Sequence, residues 1–319
     1  MDLVTKIAGI VFKNPIWTAS GTFGAGREFQ DFLNLDTIGA IVTKTVTLNA
    51  REGNPPPRVV ETSSGLLNSI GLENKGIDAF QKEDYPFLKK LKTKIIISIA
   101  GEDLLSIQKC AAYFTDNNFP EAIELNLSCP NVTHSGTKYS LIAQDPRLTE
   151  EIVRAVKKET ARPVIAKLTP NVTDIAEIAG AAEAGGADAV SLVNTYMGIA
   201  VDAYSMKPIL GNCVGGLSGP AIKPLALKAV WDVYKKVKIP IIGIGGIMTG
   251  LDAAEFMLAG ASAVEVGTAN FTDPAICARI LKEFKEYLNI KNIKSARELV
   301  GKLVGSALYY HPTSSSTLK

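Results

Sequence analysis

The sequence predicts an α/β protein that folds as a single (β/α)8 barrel with long loop insertions at the C-terminal face. Short apolar, β-branched runs alternate with longer amphipathic stretches, as expected for parallel strands that are buried on both faces. Glycine-containing turns at 184–188 and 259–262 join a helical stretch directly to the next run. Polar residues and glycines cluster where the runs end, which is the face that holds the active site in such barrels.

Eight runs are long and apolar enough to be barrel strands, and amphipathic patterns at 149–160, 172–184 and 220–237 predict helices between them. In order, the predicted strands are 16–20, 38–44, 94–100, 122–128, 163–169, 188–194, 240–245 and 263–267.

Three connections are too long for plain strand-to-helix loops, namely 46–91, 129–146 and 196–219. Long loops in a compact domain are usually functional, and we expect 129–146 to be an active-site loop. No linker divides the chain, so residues 1–319 are predicted to form one domain with a polar tail at 311–319.

Composition excludes several classes of protein. The 319 residues are 46% hydrophobic and 21% charged, which is typical of a globular chain and not of a disordered one. A net charge of +2 gives no basic excess that would indicate nucleic-acid binding. The four cysteines show no CxxC spacing, so no metal site is expected. No signal peptide and no run of 18 apolar residues is seen, so we expect a cytoplasmic protein without a membrane segment.

The carboxylates are scattered over the predicted helices and resemble solvated faces, which argues against a hydrolase with paired carboxylates. The metalloprotease motif HExxH, the phosphate-loop motif GxxxxGK[ST] and a GxGxxG after a first strand are all absent.

The loops after the seventh and eighth strands indicate a phosphate site. They read IIGIGGIMTG and VEVGTANF, and glycine there lets backbone N–H groups approach a phosphate closely. Gly245, Gly246, Gly267 and Thr268 are therefore candidate phosphate ligands. The alternative is that these glycines only make tight turns.

Two lysines, Lys44 and Lys167, end predicted strands. A lysine that ends a buried strand is costly unless it meets an anion or points into a pocket. Lys167 is suitably placed to stabilise an anionic reduced flavin at its N1–C2=O edge. Either lysine alone is equally consistent with an exposed strand end, but two at one barrel mouth favour an anionic ligand.

Cys129 lies in a polar loop, where a thiol can act as a base or a nucleophile. Cys110 and Cys277 are expected to be buried, Cys213 is ambiguous, and His134 is expected at the surface. If the barrel forms, four asparagines converge on its mouth and offer donors and acceptors to a planar, amide-rich ligand. They are Asn68, Asn126, Asn131 and Asn194.

The motifs together resemble the family 1 dihydroorotate dehydrogenases, in family order from about residue 4 to 290. The 1B subclass, the NAD-linked catalytic subunit, is the most similar, because the fumarate-linked 1A subclass differs at the GGLSGP position. The motifs are TASGTFG, VTKTVT, NSIGLEN, NLSCPN, AKLTPN, VNT, GGLSGPAIKPLAL, GIGGI and VGTANF.

The resemblance implies a TIM barrel that binds one FMN and oxidises (S)-dihydroorotate to orotate in pyrimidine biosynthesis. It makes Cys129 the catalytic base for the C5 proton, while hydride passes from C6 to FMN N5. The implied substrate-binding residues are Lys44, Asn68, Ser69, Ile70, Gly71, Leu72, Asn126, Asn131, Asn194 and Thr195. The implied FMN-binding residues are Ser20, Lys44, Thr45, Ser98, Asn126, Lys167, Val193, Gly219, Gly245, Gly246, Gly267 and Thr268. Ser98 departs from the family, which usually has asparagine facing the flavin.

The subclass also implies a partner, an electron-transfer subunit that carries FAD and a [2Fe–2S] cluster and reduces NAD+. The expected assembly is a heterotetramer of two catalytic and two electron-transfer chains. Three alternatives stay open: a fumarate-linked 1A homodimer, an FMN-dependent tRNA dihydrouridine synthase, and a barrel that only binds phosphate ligands.

Overall fold

A computed structural model describes residues 1–114, 119–127 and 144–304. In chain order its strands are β1 (Thr5–Ile7), β2 (Ile10–Phe12), β3 (Ile16–Thr18), β4 (Ala40–Val42), β5 (Val59–Thr62), β6 (Gly65–Asn68), β7 (Lys94–Ile99), β8 (Ala122–Asn126), β9 (Val164–Lys167), β10 (Ala189–Leu192), β11 (Tyr196–Ile199), β12 (Val201–Asp202), β13 (Lys207–Pro208), β14 (Val214–Ser218), β15 (Ile241–Ile244) and β16 (Ala263–Val266). Its α-helices are α1 (Ile77–Glu83), α2 (Tyr85–Leu88), α3 (Leu104–Tyr113), α4 (Pro146–Glu159), α5 (Ile175–Ala184), α6 (Lys223–Tyr234), α7 (Gly250–Ala259), α8 (Ala269–Thr272) and α9 (Ile276–Ile290).

Eight parallel strands close into a barrel, which confirms the predicted fold. The order around the barrel is β3, β4, β7, β8, β9, β10, β15 and β16, and β16 pairs with β3 to complete the ring. Each of the eight predicted runs contains one of these strands. The strands end a few residues earlier than predicted, because the polar residues at the ends of the runs already belong to loops at the barrel mouth.

Side chains that point into the barrel form layers, because alternate strand residues share a face. At the bottom, four alanines from alternate strands leave room for larger residues from the other four, among them Trp17. The β1–β2 hairpin closes this end, and the rings of Phe12 and Trp17 lie 4.3 Å apart. Two residues further along their strands, Glu124 and Glu265 occupy the next layer. The interior is therefore apolar at the bottom and polar towards the mouth.

The three predicted helices are present, and their ends follow local capping. The Asp145 side chain accepts hydrogen bonds from the first backbone N–H groups of α4, so this helix begins before residue 149. Asp174 caps α5 in the same way, so this helix begins after residue 172. The predicted helix at 220–237 is a 3-10 turn, Pro220–Ile222, followed by α6.

Two of the three long connections contain strands that pair with each other. They form an antiparallel sheet in the order β11, β14, β6, β5, in which Asn68 lies opposite Gly216. The sequence analysis treated both connections only as long loops. Each insertion forms a hairpin of its own, β5 with β6 and β11 with β14, and the pairing of β6 with β14 joins the two hairpins. This sheet adds side chains to one side of the barrel mouth.

Of the third long connection, residues 128–143 lie outside the described residues, and so does the predicted tail at 311–319. No helix within the described ranges is long and apolar enough to cross a membrane.

Candidate functional site

A cavity of about 700 Å³ lies at the C-terminal mouth of the barrel, between the strand ends and the antiparallel sheet. It brings together most of the predicted site residues. These are Ser20, Lys44, Thr45, Asn68, Ser69, Ile70, Gly71, Leu72, Asn126, Lys167, Val193, Asn194, Thr195, Gly219, Gly245, Gly246, Gly267 and Thr268. Cys129 and Asn131 lie outside the described residues, as does His134.

Glycines after β15 and β16 line one end of the cavity. Gly246 has a positive φ of 73°, and a Cβ there would lie 2.9 Å from the carbonyl oxygen of Gly219. The fold itself thus requires glycine at 246. A Cβ on Gly267 would meet only the side chains of Ala19 and Thr22, at 3.6 and 3.8 Å, which are ordinary contacts. Packing among the described residues therefore does not require glycine at 267.

Among the described residues, the backbone N–H groups of Gly246, Gly267 and Thr268 have no hydrogen-bond acceptor. The nearby lysine cannot replace them as an anion ligand. The Lys223 ammonium donates to Asp252 at 2.6 Å and to Glu255 at 2.8 Å, and these bonds raise the pKa of Lys223. Free N–H groups on glycine-rich turns are typical of phosphate-binding loops.

Thr45 is the centre of a small polar network beneath the cavity. Its hydroxyl oxygen lies 3.2 Å from that of Ser20 and 3.0 Å from that of Ser98, and it accepts a hydrogen bond of 3.2 Å from the Asn126 amide. Ser98 is fully buried and does not line the cavity. Its hydroxyl contacts that of Thr45, which does line the cavity, and its predicted contact with a cofactor stays a prediction.

Among the described residues, three charged side chains line the cavity, and two of them are Lys44 and Lys167. The third, Glu73, forms an ion pair of 2.7 Å with Arg58. Because Arg58 compensates Glu73, the two lysines are the charges that the described lining offers to a ligand, and they favour an anionic one. Lys167 is only 5% exposed and lies 3.8 Å from the Glu124 carboxylate.

The expectation that carboxylates occupy solvated helix faces is wrong for two of them. Glu124 lies on β8 and Glu265 on β16, and both are fully buried inside the barrel. A sequence signal was available, since each stands in the middle of an apolar strand, AIELN and AVEV. A carboxylate on a buried strand is as costly as a lysine there, so each of these residues requires a partner of opposite charge or a hydrogen-bond donor.

Three of the four predicted asparagines, Asn68, Asn126 and Asn194, line the cavity as expected. The sequence analysis missed Asn54 and Asn171, which also line it. The Asn171 amide donates to the Thr195 carbonyl at 3.0 Å and accepts from the backbone of Met197 at 2.9 Å, so it fixes the loop after β10. The Asn54 amide donates to the Ser69 hydroxyl at 2.8 Å.

The other cysteines do not contribute to the cavity. Cys110 and Cys277 are buried as predicted, and burial raises the pKa of each thiol to about 12. Cys213 is exposed on the turn before β14. None of these three thiols lines the cavity.

Comparison with known proteins places this fold and cavity in a family. The family model described as dihydroorotate dehydrogenase matches residues 2–288. A protein from Geobacter sulfurreducens is 51% identical over 304 residues, which cover 95% of this chain and 98% of the relative. Relatives from Alkaliphilus oremlandii and Bacteroides fragilis are 52% and 48% identical over 302 residues, which cover 95% of this chain and 99% of each. All three are named dihydroorotate dehydrogenase B (NAD(+)), catalytic subunit. With a match that spans most of its length, the chain belongs to the dihydroorotate dehydrogenase family.

Proposed function

We propose that this chain is the catalytic subunit of an NAD+-linked dihydroorotate dehydrogenase, which oxidises (S)-dihydroorotate to orotate in pyrimidine biosynthesis. One observation carries the proposal beyond the family match. A single cavity joins free backbone N–H groups on glycine turns, two lysines and several amide side chains. These are the donors needed for a phosphate, an electron-rich ring and a planar amide-containing carboxylate.

The residues present fit FMN. Gly246, Gly267 and Thr268 would bind its phosphate through their N–H groups, and the lack of a Cβ at Gly267 leaves space beside the backbone. Lys167 would lie at the electron-rich edge of the ring and stabilise negative charge there. Ser20, Lys44, Thr45, Asn126, Val193 and Gly219 would complete the site, with Ser98 acting through Thr45. When bound, FMN supplies an acceptor for the hydride that leaves C6 of the substrate.

Substrate would occupy the part of the cavity between Lys44 and the antiparallel sheet. Asn68 at the end of β6, together with residues 69–72, approaches it from the sheet, while Asn126, Asn194 and Thr195 follow barrel strands. Lys44 would pair with the substrate carboxylate, and the asparagine amides would bind the ring's N–H and C=O groups. Asn131 is proposed as a further ligand from the loop after β8.

Cys129 is proposed as the base that removes the C5 proton. In the sequence it comes three residues after Asn126, the last residue of β8, whose side chain lines the cavity. A thiolate is the reactive form, so ionisation of Cys129 would limit the step at neutral pH.

The partner is proposed to be an electron-transfer subunit with FAD and a [2Fe–2S] cluster, in a heterotetramer of two catalytic and two electron-transfer chains. The relatives' names support a second subunit, since each is called a catalytic subunit of an NAD+-linked enzyme. NAD+ would then be reduced on the partner.

The decisive experiment is an anaerobic titration of the purified chain with dihydroorotate, followed by its visible spectrum. We expect a bound flavin whose absorbance bleaches as orotate forms. NAD+ should reoxidise it at full rate only when the electron-transfer subunit is added, and fumarate should not. A flavin that dihydroorotate leaves oxidised would contradict the proposed substrate.

The acceptor is tested separately. Rapid reoxidation by fumarate would favour the fumarate-linked alternative, and full-rate NAD+ reduction by the isolated chain would remove the partner from the proposal. Purified tRNA that contains dihydrouridine should not be oxidised.

A further inference from the structure

Two carboxyl groups meet inside the barrel, one layer below the cavity. Glu124 on β8 and Glu265 on β16 are both fully buried, and the layer next to them towards the bottom of the barrel is apolar. Lys167 on the neighbouring strand β9 is the one cation beside them among the described residues. The neighbouring strands β15 and β3 contribute no charged side chain.

The hydrogen bonding of this group is incomplete if both carboxyls are ionised. One oxygen of Glu124 accepts a hydrogen bond of 3.0 Å from the Ser191 hydroxyl. Its other oxygen and both oxygens of Glu265 are buried without any donor among the described residues. The Lys167 ammonium lies 3.8 Å from Glu124, which is too far for a hydrogen bond.

The charges are also unbalanced in that state. Two carboxylates and one ammonium leave a net negative charge in a fully buried site, and buried charges without a partner are strongly disfavoured. One proton added to the pair removes both the charge imbalance and the missing hydrogen bond. It leaves one carboxylate to face one ammonium, and it supplies the donor that the carboxyl oxygens lack.

We propose that Glu265 is a neutral carboxylic acid in the folded protein at neutral pH, that it donates a hydrogen bond to Glu124, and that the pair is a positioning element for Lys167. The effect of the surrounding groups on the pKa of Glu265 supports this proposal. Burial and then the neighbouring Glu124 raise the pKa of Glu265 well above its usual value, and Lys167 opposes the shift only in part.

The consequence for the cavity rests on the proposed function. With one proton in the pair, the layer beneath Lys167 carries a single negative charge that the ammonium balances. A second negative charge there would oppose both the phosphate and an electron-rich ring above it. Glu265 thus acts through Lys167 and does not touch the ligand.

The test is infrared spectroscopy of the full-length chain at pH 7, in the region where a protonated carboxyl absorbs apart from carboxylates. We expect one protonated carboxyl per chain, lost in Glu265→Gln. The matched control is Glu177→Gln on the exposed side of α5, which should keep the signal. Glutamine retains a donor towards Glu124, so Glu265→Gln should fold and retain FMN like the wild type. Glu265→Leu, which lacks the donor, should lose flavin and stability.

Two outcomes would overturn the inference: no protonated carboxyl in the wild-type chain at pH 7, or an unchanged signal in Glu265→Gln. If Glu265→Leu does not fold, the spectra of wild type and Glu265→Gln still decide. The same proteins distinguish a failure of this inference from a failure of the proposed function. A chain that shows the carboxyl signal but does not bind FMN would contradict the proposed function and leave this inference intact.

Discussion

The hydroxyl oxygens of Thr45 and Ser98 lie 3.0 Å apart, and this contact places Ser98 behind the cavity instead of in it. Thr45 is nearly fully buried and connects Ser98 on β7 to Ser20 after β3 and to Asn126 on β8. The Thr45 hydroxyl therefore contacts residues from three neighbouring strands or strand ends, all of which belong to the proposed flavin site. Ser98 lies behind Thr45, and Thr45 lines the cavity.

Replacement of Thr45 tests this network. Thr45→Val keeps the shape of the side chain but removes the shared partner of Ser98 and Asn126. We expect a loss of about 1–3 kcal/mol in the free energy of unfolding, since the buried Ser98 hydroxyl loses its contact with Thr45, and weaker flavin retention. Denaturant unfolding and the flavin content of the purified protein measure the two effects. Ser98→Ala leaves the Ser20 and Asn126 contacts and should cost less; an equal loss would contradict the central role of Thr45.

Lys167 is predicted to serve both stability and flavin binding. Lys167→Met leaves the buried Glu124 without its cation, and breaking a buried ion pair costs about 3–5 kcal/mol. The variant should also retain little flavin. The double variant Lys167→Met/Glu124→Gln should regain most of the unfolding free energy, because no charge is stranded, but not the flavin. Recovery of both properties in the double variant would mean that Lys167 acts on the fold alone.

The barrel was predictable because its signal is local. Each of the eight strands is an apolar run by itself, and a closed parallel barrel follows from their alternation with helices. The antiparallel sheet was not, because β6 and β14 come from insertions far apart in the chain and stabilise each other only once they are paired. Neither β6 (Gly65–Asn68) nor β14 (Val214–Ser218) is buried throughout.

The site divides in the same way. Residues at strand ends, such as Lys44 and Lys167, were found because the barrel directs all strand ends to one face. Asn54 and Asn171 were missed because their positions depend on loop conformation. Glu124 and Glu265 were predictable too, because each interrupts an apolar strand as Lys167 does, and a charged residue there is buried.

The proposed base predicts a pH dependence of turnover. If Cys129 removes the C5 proton as a thiolate, the rate of flavin reduction by dihydroorotate should rise with pH towards the pKa of a thiol, about 8.5 when unperturbed. Cys129→Ser should lower the rate by at least about 10²-fold, the usual lower contribution of a general base, while FMN stays bound. Stopped-flow spectra between pH 6 and 9 measure both. A flat profile, or a serine variant with normal rates, would remove Cys129 from this role.

Glu265 predicts a pH dependence of stability. Its pKa is raised in the folded protein, so folding takes up a proton between the unfolded value of 4.5 and the folded value. Stability from this group is therefore present at low pH and is lost as the pH rises. Glu265→Gln should gain stability relative to the wild type by up to about 1.4 kcal/mol per pH unit. Denaturant unfolding of both proteins at pH 5, 6, 7 and 8 measures the difference, which should not grow if Glu265 is ionised when folded.

Alanine substitution should have different effects at Gly246 and at Gly267. At Gly246 it should lower the stability of the fold, and at Gly267 it should weaken FMN binding. Gly246→Ala places a Cβ 2.7 Å from that of Lys223 on a backbone with positive φ, so the fold itself should be destabilised by at least about 1–3 kcal/mol. Gly267→Ala meets only ordinary contacts and has no positive φ, so the free energy of unfolding of the flavin-free protein should change by less than about 0.5 kcal/mol. Its added methyl group nevertheless occupies the space beside the free N–H groups, and FMN should bind more weakly.

Unfolding of the flavin-free proteins and fluorescence titration with FMN separate the two effects. Gly180→Ala in α5 is the control, because its Cβ would meet only the end of the Lys236 side chain, at 3.4 Å. It should stabilise the helix by about 0.5–1 kcal/mol without any change in FMN affinity. If Gly267→Ala bound FMN as tightly as Gly180→Ala does, a ligand approaching the backbone at 267 would no longer explain the glycine, and the phosphate site would have to lie elsewhere in the cavity.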